Sequence, residues 1–327
     1  MRVALIGAGK RGKLLASTVE SSGAGRLVAV WDRTPQTAEA VASQYEAKAF
    51  LTIESMVSET VPDLVIVATH PSVRQEAIRR ALGGEHAFLI EKPIALDSSS
   101  LREITGMLDG RFAAVNTQYR WMPHWQRILN DISNGDLGRI QQVTSSTAVA
   151  LIDQGTHLIG LALAVLDAAK VGGLARVRAT AHGTVEYAGR DWPAQVSAVC
   201  TLPGLEYRID AGDDAPRVRD ETVKWHHIQT SVTGSGGQAW VSLTKGWNET
   251  LGTRTLSGPT AWPNDDTVSQ GAMLRELALA LTAPDLAARF PTRLESAVRE
   301  MDVLFAILDA ARSGREHDIE VGSPFAQ

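Results

Sequence analysis

The opening of the chain constrains its fold most. An apolar, β-prone run, Met1-Arg2-Val3-Ala4-Leu5-Ile6, passes straight into Gly7-Ala8-Gly9-Lys10-Arg11-Gly12, and Leu14 and Leu15 then begin a helical pattern. A dinucleotide pyrophosphate needs this order of strand, G-x-G-x-x-G and helix. Gly7 permits a tight turn, Gly9 lets the backbone approach the phosphates, and Gly12 lets helix and strand pack closely. The helix N-terminus then offers N–H groups and a partial positive charge to the anion.

Downstream residues give this glycine turn a specific context. A second apolar run, Leu27–Trp31, ends at Asp32, twenty residues past Gly12. There a carboxylate accepts hydrogen bonds from the adenosine ribose hydroxyls. Glycines, helix and acid together outweigh the alternative of a plain turn followed by a strand-end Asp. Asp32 favours NAD, because it would repel a 2′-phosphate. Its neighbour Arg33 offers a guanidinium to such a phosphate, which leaves NADP open.

With 327 residues the chain is long enough for two domains with separate cores. A formal net charge of −5 and the absence of any Lys/Arg-rich run argue against a nucleic-acid groove or an anionic membrane surface. The longest apolar stretch, Leu158 to Leu166, is too short to span a bilayer. The N-terminus is taken up by a core strand, so no secretory signal peptide is expected. Cys200, the single cysteine, lies in the apolar run Val196–Leu202 and reads as an inert core thiol. A reducing, cytoplasmic setting is the expectation.

From Met1 to about Val115, strand-like runs (Val3–Ile6, Leu27–Trp31, Leu64–Ala68, Ala87–Ile90, Phe112–Val115) alternate with helical patterns near Gly12–Ser22, Pro35–Tyr45, Ser72–Leu82 and Ser98–Leu108. Asp97 or Ser98 caps the last of these. The alternation predicts a doubly wound parallel sheet covered on both faces. After Asn116 the rhythm changes. Helices are expected over Trp121–Ile132 and Gly155–Ala169, and a strand over Ile140–Val149. Strand-like runs then follow without intervening helices: Ala175–His182, Gln195–Leu202, Leu205–Ala211, Thr222–Thr233 and Gln238–Leu243. These predict a mostly antiparallel sheet, with a hairpin turn at Thr233–Gly237. Two amphipathic helices, Val268–Thr282 and Arg293–Arg312, close the chain. The expectation is an α/β protein with a nucleotide-binding domain over residues 1–118 and a second α/β domain over 119–327.

Two constellations carry the chemistry. The run Ala87–Ile90 ends in Glu91-Lys92-Pro93, at the open end of the parallel sheet, where substrate and nicotinamide meet. Lys92 there is either a substrate ligand or a solvated strand-end residue. Pro93 fixes the backbone and is a candidate for a cis bond. The second constellation is Asp153-Gln154-Gly155-Thr156-His157. Four residues apart, Asp153 and His157 share a helix face. A carboxylate there can orient the imidazole, and the imidazole can take an alcohol's proton. Equally, Asp153 can be an N-cap and His157 a satisfied polar residue. No third ligand accompanies the pair, so no metal is expected. Trp225-His226-His227 is read on a strand, where neighbours point to opposite faces and cannot share a metal. The tryptophans, Trp262 among them, are read as core or interface, with sugar stacking left open for one or two.

These motifs, in this order, resemble the glucose–fructose oxidoreductase/inositol dehydrogenase (Gfo/Idh/MocA) family over nearly the whole chain. The matching pieces are Gly7–Gly12, Ala68-Thr69-His70-Pro71, Glu91-Lys92-Pro93, Asn116-Thr117-Gln118-Tyr119-Arg120, Asn134–Ile140 and Asp153–His157. The resemblance implies a Rossmann domain followed by an α/β domain with a large, open-faced antiparallel sheet. It also implies homodimers or homotetramers built through that sheet, and NAD(P)-dependent hydride transfer at a secondary hydroxyl or ketone of a sugar, cyclitol or related polyol. Under it, Lys92 holds the reacting hydroxyl, His157 is the general acid/base and Asp153 orients the site. Thr69, His70 and Pro71 line the nicotinamide side with Glu91 and Lys92 nearby, and Asn116, Tyr119 and Arg120 lie near substrate or cofactor. For Tyr119 and Arg120, packing at a domain junction is the alternative.

The chain departs from the family in two places. The link Ser145–Leu151 lacks the longer glycine-paired segment of many relatives, which implies a more open pocket or a substrate unlike a free hexose. Gly160 stands three residues after His157, where relatives often carry Asp. Two other functions stay in view: NAD-assisted glycoside cleavage, and a non-catalytic NAD(P)-sensing regulator.

Overall fold

A computed structural model describes residues 1–321. The chain divides into two compact units, one of Met1–Thr117 with Gln270–Val298, the other of Gln118–Ser269 with the chain from Arg299 onward. The first unit therefore includes a stretch that the expected 1–118 boundary leaves with the second domain.

In the first unit, strands β1 (Arg2–Ile6), β2 (Arg26–Trp31), β3 (Lys48–Phe50), β4 (Leu64–Val67), β5 (Ala87–Glu91) and β6 (Ala113–Asn116) form one parallel sheet. Its order is β3-β2-β1-β4-β5-β6. The connecting helices are α1 (Lys10–Ser21), α2 (Pro35–Ala42), α3 (Ile53–Thr60), α4 (Pro71–Ala81) and α5 (Ser98–Met107). Every residue of β4 and β5 is buried, as expected of strands covered on both faces. Asp97 caps α5 by accepting the Ser100 N–H at 2.7 Å. β3 and α3 escape the sequence patterns. β3 is three residues long, too short for a period, and α3 is announced mainly by its Thr52 cap, which accepts the Ser55 N–H at 3.1 Å.

The second unit opens with a 3-10 turn, Gln118–Trp121, and helix α6 (Pro123–Ser133). Strand β7 (Ile140–Thr147) leads through Ala148–Ala150 into helix α7 (Leu151–Ala168). There follow β8 (Leu174–Tyr187), β9 (Arg190–Leu202), β10 (Leu205–Ala211), β11 (Ile228–Gly234), β12 (Gly237–Ser242), β13 (Gly246–Leu251) and β14 (Arg254–Gly258). Helices α8 (Asn264–Ala280), α9 (Pro284–Ala288) and α10 (Leu294–Ser313) and strand β15 (His317–Glu320) complete the described chain. The borders between the units at residues 269/270 and 298/299 fall within α8 and α10.

β7 to β15 form one nine-stranded sheet, ordered β14-β13-β12-β11-β7-β10-β9-β8-β15 and antiparallel except where β7 meets β10. Burial alternates along β8, β10 and β11, so one face packs while the other is open. Two expectations change. The strand expected at Thr222–Thr233 begins only at Ile228, because Lys224–His226 is a 3-10 turn. And α7 begins at Leu151, four residues before the helix expected at Gly155–Ala169; it is 18 residues long with a mean hydropathy of 1.2, so by length and composition it could cross a membrane. It is a core helix instead: 78% of it is buried inside the fold.

Candidate active site

In the first unit the glycine turn is shaped by steric necessity. Gly7 has φ +96°, and a β-carbon there would lie 2.8 Å from the Ala68 carbonyl oxygen. A β-carbon on Gly12 would lie 1.9 Å from the Gly7 oxygen, so no larger residue fits where α1 meets β1. Gly9, the residue before α1, faces open space: a β-carbon there would meet nothing within 4 Å. No side chain caps α1, which leaves its first N–H groups toward that space. Asp32 is knitted to the turn: one oxygen accepts the Ala8 N–H at 2.7 Å and the other the Thr34 N–H at 2.9 Å. Lys10 and Arg33 are exposed beside it.

Arg11 turns inward instead. Its Nε donates to Glu91 Oε1 at 2.8 Å, and the Asn116 amide donates to the same oxygen at 2.5 Å. Asn116 in turn accepts from Gln270 Nε2 at 2.7 Å. Burial alone would push the Glu91 carboxyl up. The Arg11 guanidinium, the Asn116 amide and the Lys92 charge outweigh it and hold Glu91 ionised below its ordinary value. This network fixes the end of β5, from which half-buried Lys92 and a cis Lys92–Pro93 bond follow.

Arg74 supplies a second brace, which sequence reasoning missed. It is buried on α4 and donates through Nη2 to the Thr69 carbonyl at 2.6 Å and through Nη1 to the Pro93 carbonyl. The loops after β4 and β5 are thereby tied together. Its signal was in the sequence: Arg74, Ala77, Ile78 and Ala81 form the buried stripe of α4, where a lone Arg needs partners. His70 precedes Pro71 in extended conformation and caps α4, its Nδ1 2.7 Å from the Ser72 hydroxyl.

The residues present fit a dinucleotide. Gly7, Asp32, Thr69 and Lys92 stand at the carboxyl ends of β1, β2, β4 and β5, on either side of the point where strand order reverses between β1 and β4. The Thr69 hydroxyl is buried without a hydrogen-bond partner within the protein, as a group awaiting a ligand would be.

In the second unit, Asp153 lies in the first turn of α7 and His157 one turn on. His157 is buried, and its ring stacks on Tyr119, with centroids 4.2 Å apart and planes at 13°. Next to Tyr119, buried Arg120 donates to the Gly160 carbonyl at 2.9 Å and stands 3.4 Å from Glu300 Oε1. The 3-10 turn therefore grips α7 at His157 and again one turn later. Glu300 on α10 was also missed. Burial pushes its carboxyl up to about 7, against the pull of Arg120 and Arg299. Cys200 is buried and its thiol pushed up to about 12 by desolvation, which makes it inert as expected. Among the described residues no group of three or more His, Cys, Asp or Glu is placed to hold a metal ion.

Comparison with known proteins agrees with this geometry. Inositol 2-dehydrogenase of Rhizobium meliloti is 31% identical over 146 residues, 44% of each chain. Glucose-6-phosphate 3-dehydrogenase of Bacillus subtilis is 26% identical over 145 residues, 43% of this chain and 41% of that one. The matches thus span less than half the length of these curated relatives. Among solved structures, an oxidoreductase of Agrobacterium radiobacter in complex with NAD+, L-tartaric acid and magnesium superposes with a TM-score of 0.81 over 98% of both chains at 14% identity. A myo-inositol dehydrogenase of Corynebacterium glutamicum superposes with a TM-score of 0.75 over 98% of both chains at 17% identity. Both share the fold. Residues 1–117 match the family profile described as an oxidoreductase family with an NAD-binding Rossmann fold. That segment is about a third of the chain, and over it the sequence is similar to the NAD-binding domain of that oxidoreductase family.

Proposed function

We infer that the protein is an NAD(P)-dependent oxidoreductase acting between a secondary hydroxyl and a ketone of a sugar, cyclitol or related polyol derivative. The observation that carries this reading is the row of Gly7, Asp32, Thr69 and Lys92 along the carboxyl ends of successive parallel strands. The names of the curated relatives, an inositol and a sugar-phosphate dehydrogenase, support the substrate class.

The bound nicotinamide supplies the hydride acceptor or donor. Gly7, Gly9 and the open end of α1 would hold its pyrophosphate, Asp32 would accept hydrogen bonds from the ribose hydroxyls, and Thr69 would lie on the nicotinamide side. Lys92 donates to the reacting oxygen and stabilises negative charge that develops there. His157 takes the hydroxyl proton on oxidation and returns it on reduction, and Asp153 orients the site. Glu91, Asn116 and Arg74 act by fixing the segment that carries Lys92. Tyr119 and Arg120 act by fixing α7 around His157.

A screen of cofactor reduction over sugars, inositols, amino sugars and glycosides, run with NAD and with NADP, tests the reading. Reduction by at least one polyol is expected, with NAD preferred because of Asp32. A panel that yields tight NAD binding and no turnover would replace it with the sensing role. Aglycone release without net NADH would favour redox-assisted glycoside cleavage. Light scattering on the same preparations reads the homodimer or homotetramer that the family resemblance implies.

A further inference from the structure

Glu300 is only 2% exposed on α10, and no step of the chemistry above uses it. A buried carboxyl needs partners, and here they converge on α7. Glu300 Oε1 stands 3.4 Å from Arg120 Nη2, and that same nitrogen donates to the Gly160 carbonyl at 2.9 Å. Tyr119 makes a second contact with α7: its ring lies on His157 at 4.2 Å, with planes 13° apart. Tyr119 and Arg120 are consecutive residues of the 3-10 turn Gln118–Trp121. Two neighbouring side chains thus touch α7, one at His157 and one three residues on at Gly160, and Glu300 braces the second of them. All five residues belong to the second unit.

Charge decides how firmly this brace holds. Burial pulls the Arg120 guanidinium below its ordinary value, and the Glu300 charge, followed by that of Asp167, opposes the pull. Around Glu300 itself stand Arg120 from the turn, Asp167 from α7 and the neighbouring Arg299, whose Nη1 pairs with Asp167 at 3.2 Å. Burial pushes the Glu300 carboxyl up to about 7 against the two arginines, so it changes charge near neutrality. Ionised, it attracts Arg120 in a place that water and salt screen poorly. Protonated, it leaves the buried guanidinium more weakly held.

We propose that Glu300 is a positioning residue for His157: through Arg120 it holds the turn that keeps Tyr119 against the imidazole, and it thereby regulates the proton transfer assigned to His157. The positioning stands on the contacts themselves, and the proton transfer rests on the oxidoreductase reading given above. The ionised carboxylate is the form that holds the turn, so turnover gains when Glu300 loses its proton.

The test compares the full chain with Glu300→Gln, which keeps the shape of the side chain but cannot ionise. Proton NMR of isotope-labelled histidine rings, with the His157 signal identified by its loss in His157→Gln, reads the ring current that a stacked tyrosine imposes. As pH rises through about 7, the His157 signal of the unmodified protein should move upfield relative to that of Glu300→Gln, a comparison that removes the titration of the imidazole itself. Above that pH, kcat with the best polyol of the screen should be about tenfold higher in the unmodified protein, while KM and NAD affinity stay within about threefold. Below it the two proteins should turn over alike. Thermal unfolding at each pH controls for folding.

A His157 signal that is the same in both proteins at every pH overturns the proposal, and so does equal kcat above pH 7. A difference that persists when both proteins also carry Tyr119→Leu overturns it as well, because the Glu300 charge would then act on His157 directly. The two readings fail separately. A Glu300-dependent His157 signal without turnover of any polyol sinks the oxidoreductase reading alone, and turnover with a His157 signal indifferent to Glu300 sinks the positioning role alone.

Discussion

A β-carbon on residue 160 would lie 2.7 Å from Glu300 Oε1, so the Glu300 carboxylate fills the space that a side chain at Gly160 would need. Proteins of the family that the chain resembles often carry an Asp at that position. Here the acid comes from α10, and it faces the same buried Arg120 that donates to the Gly160 carbonyl. Gly160→Ala should therefore destabilise the second unit by about 1–3 kcal/mol through overpacking. In a Glu300→Ala background the same change should be close to neutral. Urea unfolding of the two single variants and the double variant measures this coupling, and additive effects would show that the two positions do not compete.

Glu300 also makes a pH prediction. Its folded value, about 7, lies above the ordinary 4.5, so the folded protein holds this proton more tightly than the unfolded chain. The stability it contributes is fully present below the ordinary value and is lost as pH rises through the folded one. Glu300→Gln carries no titrating proton. The stability of the unmodified protein relative to this variant should fall as pH rises from about 4.5 to about 7 and then level off. A difference that stays flat across that window would mean that Arg120 keeps Glu300 ionised throughout.

In the first unit, His86 behaves oppositely. Desolvation, aided by the Arg111 charge, brings it down to about 4, so the folded state keeps it neutral while the unfolded chain binds a proton near 6.5. Its contribution is complete above 6.5 and declines as pH falls toward about 4. Relative to the unmodified protein, His86→Gln should show a shallower loss of stability on acidification. Parallel melting curves between pH 4 and 7 decide it, and identical slopes would remove His86 from the account.

Two glycines of the turn separate folding from cofactor binding. Gly12→Ala forces a methyl group to within 1.9 Å of a backbone oxygen, so it should lower both the melting temperature and NAD affinity. At Gly9 a methyl group meets nothing, and the backbone there is ordinary extended chain. Gly9→Ala should melt like the unmodified protein and still bind NAD at least about tenfold more weakly, because the methyl intrudes where phosphates approach. Unchanged NAD affinity in Gly9→Ala would move the pyrophosphate away from this turn.

Much of this was legible in the residue order. The glycine turn, the alternating first half and the strand-rich second half follow from short-range pattern, and the structure has all three. What escaped was long-range. Arg74 sits on an apolar stripe and Glu300 among buried residues of α10, but Pro93, which Arg74 ties to Thr69, and Arg120, which faces Glu300, lie 19 and 180 residues away along the chain. No local pattern pairs them. The Trp225 segment failed for another reason. Thr222–Thr233 has the composition of a strand, yet Glu221 binds the N–H groups of Thr222 and Val223 and diverts the chain into a turn. The Asp153/His157 spacing gave the shared helix correctly, whereas the stacking of Tyr119 on His157 required the fold.

The proposed function stands or falls with Lys92 and His157 as the groups that carry the charge and proton transfers of a dehydrogenase. The most direct test follows NADH formation and, separately, NAD binding in Lys92→Ala and His157→Ala, with the best polyol from the substrate screen. Each variant is expected to lose at least about 100-fold in turnover while NAD affinity stays within a few-fold of the unmodified protein. Full turnover in either variant would contradict the assignment.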